Sequence, residues 1–148
     1  LMNKYFEDIL AYLERKPNNM RLFFYKSWYK SFGFIKSFKV AIERKLREEN
    51  LSYRDVFFVF SAHNVPVNAM DRYGYDLELF VRKLGDIEEY VICYQSKPPY
   101  AKGRWYSPSL EEVISSYDGK KPIFIVPVVF LFNNMEVLWD IDIEIIKR

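Results

Sequence analysis

Short, continuous apolar runs alternate along this chain with segments whose apolar residues recur every three or four positions. That order leaves few folds open. Met20 to Tyr25, Asp55 to Phe60, Tyr90 to Tyr94 and Ile123 to Phe130 have the character of strands, the second closing on Ser61-Ala62-His63. Between them lie helical stripes. Tyr5, Phe6, Ile9, Leu10 and Leu13 form the first, which Pro17 ends; Phe34, Ile35, Phe38, Ala41, Ile42, Lys45 and Leu46 form the second; Leu77, Phe80, Val81 and Leu84 form the third. Ser109 and Glu112 have the spacing of a capping box ahead of Leu110, Val113, Ile114 and Tyr117, and a last helix begins near Asn133. Strands apolar along their whole length are covered on both faces, and alternating strands and helices give parallel neighbours. The expected fold is therefore a three-layer α/β sandwich around a four-stranded parallel sheet, one domain over residues 1–148.

Such sheets bind ligands beyond the carboxyl ends of their strands. Three segments fall there: Ser61 to Pro66, Gln95 to Pro99 and Phe132 to Glu136. No Gly-rich phosphate loop follows any strand, which argues against a nucleotide site. The net charge of +2 implies no strong attraction to nucleic acid. The apolar run from Ile123 to Phe132 is too short to span a membrane. No signal peptide precedes the first helix, and the opening Leu1-Met2 suggests a fragment. With Cys93 alone there is no disulfide framework within the chain; this fits a reducing compartment and a cytoplasmic protein, with membrane contact at most peripheral. Cys93 sits mid-strand, where a thiol is buried and inert.

His63 is the only histidine and directly follows a strand. A neutral imidazole there is either a metal ligand and proton acceptor or simply a hydrogen-bonded loop residue. Glu136, Asp140 and Glu144 are spaced by four. On a helix they share one face, which is either a solvated surface or a carboxylate ladder for a hard cation. The alternation Ile141-Asp142-Ile143-Glu144-Ile145 also fits a strand, which would remove Glu144 from that face. Arg21 to Lys39 interleaves aromatic residues with Lys26, Lys30, Lys36 and Lys39, a pattern open to nucleic-acid or membrane-surface contact. A core-facing strand and helix with solvated lysines explains most of it; Trp28, in the loop after the expected first strand, stands apart. Aromatic residues make up 19% of the chain, more than a core alone calls for and suited to walls around a flat ligand.

Several of these segments resemble the ferrochelatase family. Phe58-Val59-Phe60-Ser61-Ala62-His63-Asn64-Val65-Pro66 resembles its F-S-A-H-x-x-P segment, Tyr94-Gln95-Ser96-Lys97 its Q-S-K segment, and Trp105-Tyr106-Ser107-Pro108 its W-x-x-P. Val126-Pro127-Val128-Val129-Phe130 followed by Glu136 to Glu144 resembles the strand and acidic helix that complete the family's active site, and Ser27-Trp28-Tyr29 matches an S-W-Y segment of some members. The resemblance implies a chelatase-like fold, with residues 1–148 as the carboxy-terminal domain of a two-domain enzyme whose amino-terminal domain supplies much of the pocket. It implies Fe2+ and a porphyrin, protoporphyrin IX or coproporphyrin III, as substrates for haem synthesis, with no prosthetic group in this segment. His63 and Glu136 take the places of the catalytic and metal-binding pair. Asp140 and Glu144 take those of a metal or proton relay, and Trp28, Gln95 and Trp105 line the porphyrin cleft. Phe132-Asn133-Asn134 stands where the family usually has S-D-H, and Tyr73-Gly74-Tyr75 sits in a shortened connection that lacks G-D-P-Y. A cobalt or nickel chelatase for a sirohydrochlorin-like ring, a non-catalytic tetrapyrrole-binding domain, and a basic-aromatic interaction module are the competing readings.

Overall fold

The computed structural model describes residues 2–15, 19, 21–23, 28–69, 72–130, 135–143 and 145, without the side chains of residues 2–4, 28 and 136. Helices α1 (Met2–Glu14), α2 (Phe32–Glu48), α3 (Tyr73–Leu84) and α4 (Leu110–Ser116) alternate with strands β1 (Phe57–His63), β2 (Tyr90–Gln95) and β3 (Ile123–Pro127), and a short α5 (Met135–Val137) runs on into a π-helical segment, Leu138–Ile143. The strands form one parallel sheet in the order β2-β1-β3.

The sheet therefore has three strands rather than the expected four. Residues 21–23, in the middle of the expected first strand, have no regular secondary structure, and the rest of Met20 to Tyr25 lies largely outside the described residues. Other boundaries also moved. Asp55 closes a 3-10 turn, Tyr53–Asp55, that is capped by Ser52, so β1 begins two residues later than expected. β3 stops at Pro127, which lacks the N–H a longer ladder needs, although Val128 N still donates to Ser61 O at 2.9 Å. The strand alternative for residues 141–145 is overturned at 141–143, which are helical.

The two faces of the sheet are covered unequally. Phe58, Phe60 and Ala62 of β1 point to one face, where Ile42 and Leu46 of α2 and Leu77, Phe80, Val81 and Leu84 of α3 close a continuous core. Phe58 and Phe60 are fully buried, and each contributes about 2–3 kcal/mol through apolar burial. Phe34 and Phe38 extend this core against Phe80 with ring centroids 5.6 and 5.2 Å away, whereas Phe23 and Phe32 are exposed; Phe24, Tyr25, Lys26 and the Trp28 side chain lie outside the described residues. On the other face Val59 and Cys93 meet Leu110 and Val113 of α4, with Ile141 and Ile145 packed beside them. The expected capping box is formed: Glu112 N donates to Ser109 Oγ at 3.1 Å and Ser109 N to Glu112 Oε2 at 2.7 Å. The stripe of α1 is not buried, since Tyr5, Ile9 and Leu10 are all exposed. No helix among the described residues is long and apolar enough to cross a membrane.

Candidate functional site at the carboxyl edge of the sheet

Strand periodicity sets the first part of the site. Side chains alternate across a sheet, so Ser61 and His63 continue the face begun by Phe57 and Val59. In the register, Ser61 pairs with Cys93 and His63 with Gln95, which puts the imidazole and the carboxamide side by side on that face. Asn64 N donates to Gln95 O at 2.8 Å and carries the pairing one residue further. His63 is half-buried at the mouth, and Phe130 stands edge-on to it at 6.5 Å between ring centroids.

The last helix supplies the second part. Val137 lines a cavity with Phe38 and Ile42 of α2 on one side of the molecule. Ile141 and Ile145 pack on the opposite face of the sheet, so the helix crosses the carboxyl edge. Asp140 lies between these two anchorages and is tied down from β2. Gln95 Nε2 donates to Asp140 Oδ2 at 3.1 Å, and Ser96 Oγ donates to the same oxygen. Ser96 has φ 62, the left-handed region that an L side chain rarely adopts. π-helical turns are rare and are frequent at functional sites, and the i→i+5 pattern here widens the turn on which Trp139 and Asp140 sit. A cavity of about 510 Å3 opens there, lined by Gln95, Lys97, Leu110, Glu111, Trp139 and Asp140. Gln95 is 5% exposed, and its Oε1 has no hydrogen-bond partner among the described residues. Another cavity, of about 670 Å3, lies at the other end of the sheet around Phe57, Glu89 and Lys121, away from these groups.

A third set of contacts fixes the loops. Tyr73 Oη donates to His63 O at 2.8 Å. Burial and the neighbouring Tyr94 and Tyr106 push the Tyr73 phenol well above its ordinary range, so it stays a donor. Asn64, 2% exposed, clasps the 105–106 segment: its Nδ2 donates to Tyr106 O at 3.0 Å and Tyr106 N donates to its Oδ1 at 3.1 Å. Pro66 and Trp105 form an isolated antiparallel bridge beside this clasp.

The sequence-derived site residues are thus distributed unevenly. His63, Gln95 and Asp140 meet at one edge. Trp105 is half-buried over the loop that follows β1, where its indole N–H donates to Lys102 O at 3.0 Å, and it does not line the Gln95–Asp140 cavity. Glu136 lies on α5 and Trp28 on a 3-10 turn, Trp28–Lys30; their side chains, the whole of Glu144, and Phe132-Asn133-Asn134 are outside the described residues. No three His, Cys, Asp or Glu residues gather as a metal cage among the described residues. Sequence reasoning missed Asn64, Tyr73 and Ser96. The one available signal was Asn64's place directly after the strand-end histidine, where a buried amide can satisfy two backbone groups at once.

A parallel α/β sheet with a histidine at its carboxyl edge and an anchored helix crossing that edge is an architecture consistent with the chelatase type. A family model described as ferrochelatase matches residues 2–148. The ferrochelatase of Chlamydia caviae is 34% identical over 132 residues, covering 81% of this chain and 41% of that protein. Ferrochelatase-1, chloroplastic/mitochondrial, of Arabidopsis thaliana is 33% identical over 132 residues, covering 80% and 28%. Ferrochelatase-2, chloroplastic, of Cucumis sativus is 33% identical over 147 residues, covering 90% and 27%. The chain belongs to the ferrochelatase family. It spans about two fifths or less of the length of these relatives.

Proposed function

We propose that the protein containing these residues inserts Fe2+ into a porphyrin, protoporphyrin IX or coproporphyrin III, in haem synthesis. Family membership supports the reaction class. The observation that carries the site is the junction of β1, β2 and the last helix: His63 stands beside Gln95 in the sheet, and Gln95 holds Asp140 at 3.1 Å.

Metallation requires two pyrrole N–H protons to leave while the metal ion sheds water. In this reading His63 accepts a pyrrole proton or ligates the incoming metal, with Glu136 as its catalytic partner across the cleft. Asp140 and Glu144 pass metal ions or protons along the acidic helix, a donor set suited to a first-row divalent ion. Gln95 orients Asp140 and lines the cleft together with Trp28 and Trp105. A site that bends the macrocycle exposes its nitrogen lone pairs, at a strain of about 1–5 kcal/mol offset by remote contacts. The second wall comes from sequence outside this chain, a reading supported by the greater length of the relatives. The expected setting is the cytoplasm.

The test is anaerobic mixing of the intact protein with Fe2+ and porphyrin, followed by visible spectroscopy. Metalloporphyrin bands that appear with the wild type and are lost in His63→Ala support the assignment. Normal turnover by His63→Ala removes His63 from the mechanism, and porphyrin binding without metallation by the wild type identifies a non-catalytic binding domain instead.

A further inference from the structure

We infer that Tyr106 is a positioning residue for His63 and Gln95, acting on both through the backbone from the opposite face of the sheet. This rests on the iron-insertion reading above and adds to it a residue that touches neither metal nor porphyrin. His63 and Gln95 are register partners, and their side chains continue the face of Val59 and Cys93. Tyr73, Tyr94 and Tyr106 belong to the core on the other face, which holds Phe60 and Ala62. From there Tyr106 reaches the neighbours of both site residues. Its N–H and carbonyl are clasped by Asn64, the residue after His63. Its ring stands edge-on to Tyr73 at 5.6 Å between centroids, and Tyr73 Oη donates to His63 O. The same ring stacks on Tyr94, the residue before Gln95, at 5.0 Å and 29°.

Gly74 gives the Tyr106 ring its place. Glycine is a poor helix former, yet Gly74 stands in the first turn of α3 and is not among the glycines of positive φ. The backbone does not call for glycine there; the rings do. A Cβ at this position would lie 3.2 Å from Tyr106 Cε1 and 3.5 Å from Tyr94 Oη. The first is tighter than ordinary van der Waals contact, so an alanine would drive the Tyr106 ring back by a few tenths of an ångström. The ring cannot yield alone, because Tyr73 and Tyr94 flank it and packed interiors transmit strain. The displacement passes through Tyr73 to the carbonyl of His63, and through Tyr94 to Gln95, which holds Asp140. Reaction geometry is sensitive on this scale, since a misplacement of about 1 Å costs about 100-fold in rate. Tyr73-Gly74-Tyr75 is also the connection that lacks G-D-P-Y, so the family pattern does not account for these rings.

The experiment measures kcat and KM for iron insertion by the intact protein, beside its melting temperature. The variants are Gly74→Ala, Tyr106→Phe, Tyr106→Ala and the double variant Gly74→Ala/Tyr106→Ala. Alanine favours the helix that glycine weakens, which offsets the crowding, so Gly74→Ala should melt close to wild type. Its kcat should nevertheless fall about three- to tenfold, with KM for Fe2+ and porphyrin unchanged. Tyr106→Phe keeps the ring and should match wild type. Tyr106→Ala should lose about tenfold or more in kcat. Gly74→Ala should cost nothing further in the Tyr106→Ala background, because the ring it displaces is gone. Should Tyr106→Ala fail to fold, Tyr106→Leu replaces it in the cycle. Wild-type kcat in either single alanine variant overturns the inference, as do losses that multiply in the double variant. A raised KM at unchanged kcat assigns the ring to substrate binding and also overturns it. A wild type that forms no metalloporphyrin removes the iron-insertion reading, and this inference with it, whereas the variant effects bear on the inference alone.

Discussion

Gln95 and Asp140, forty-five residues apart, are joined by a 3.1 Å hydrogen bond that fastens the acidic helix to the end of β2. Gln95 is also the register partner of His63. One side chain therefore sets the relation between the imidazole on the sheet and the carboxylate on the helix. Gln95→Ala should lower the iron-insertion rate about 10- to 100-fold, the usual effect of removing a group that orients a metal-handling ligand. Gln95→Glu places a second carboxylate against Asp140. Its rate should be lowest above the carboxylate range, where both are charged, and should recover as acid protonates one of them. A rate–pH profile of the intact protein for both variants is the check, and a profile for Gln95→Glu that matches wild type would separate Asp140 from the chemistry.

Asn64 satisfies both backbone groups of Tyr106 from a position that is 2% exposed. Asn64→Ala leaves the part-buried N–H and C=O of Tyr106 without this partner and should lower stability by about 1–3 kcal/mol in urea unfolding. Asn64→Asp can still accept from Tyr106 N, but when ionised it faces the Tyr106 carbonyl. Its folded-state pKa is therefore raised above the unfolded value of about 3.9. The sign follows: stability of this variant is highest below that value and declines as pH rises through the folded pKa. If Asn64→Ala is as stable as wild type, the clasp does not hold the loop.

Tyr73 Oη donates to the carbonyl of His63 itself. Tyr73→Phe keeps the ring against Tyr106, 5.6 Å between centroids, and removes only that bond, so the expected loss is about 1 kcal/mol. If the bond also fixes the direction of the imidazole, the rate of metallation falls by more than the change in melting temperature accounts for. Parallel measurement of unfolding and turnover separates the two contributions.

The parts of the fold legible in the sequence are those written in local periodicity. Leu77, Phe80, Val81 and Leu84 recur at helical spacing and are all buried in α3, and Ser109 with Glu112 caps α4 as its spacing required. His63 was placed at a strand end because the apolar run stops there. The parts that were not legible depend on partners distant in the chain. An aromatic run such as Met20 to Tyr25 satisfies strand propensity without a neighbour to pair with, and residues 21–23 show no strand. Alternation in Ile141-Asp142-Ile143 fits a strand equally well, yet Ile141 is taken by the core beneath a helix that crosses the sheet. The link from Gln95 to Asp140 has no local signature.

Burial makes a prediction at the opposite end of the pH scale. Cys93 is fully buried between Val59 and α4, and desolvation pushes its thiol from the ordinary 9.0 up to about 12. Tyr94, the next residue, is 5% exposed, and burial with its neighbour Tyr106 pushes the phenol from 10.0 up to about 12. Both groups have folded-state pKa values raised above the unfolded ones, so the folded state binds their protons more tightly. Their contribution is complete below about pH 9 and is lost as pH rises from about 9 to about 12. The protein should therefore be insensitive to pH in the neutral range on their account and unfold steeply in alkali. The native thiol should resist alkylation at pH 8, with labelling that appears only as urea opens the core, because the reactive thiolate is absent from the folded state. Cys93→Ala should shift the alkaline midpoint upward, since the variant has no thiol to ionise, while it lowers stability at neutral pH through the cavity it leaves. An alkaline midpoint that moves down in step with neutral stability would mean that ionisation of Cys93 takes no part in alkaline unfolding.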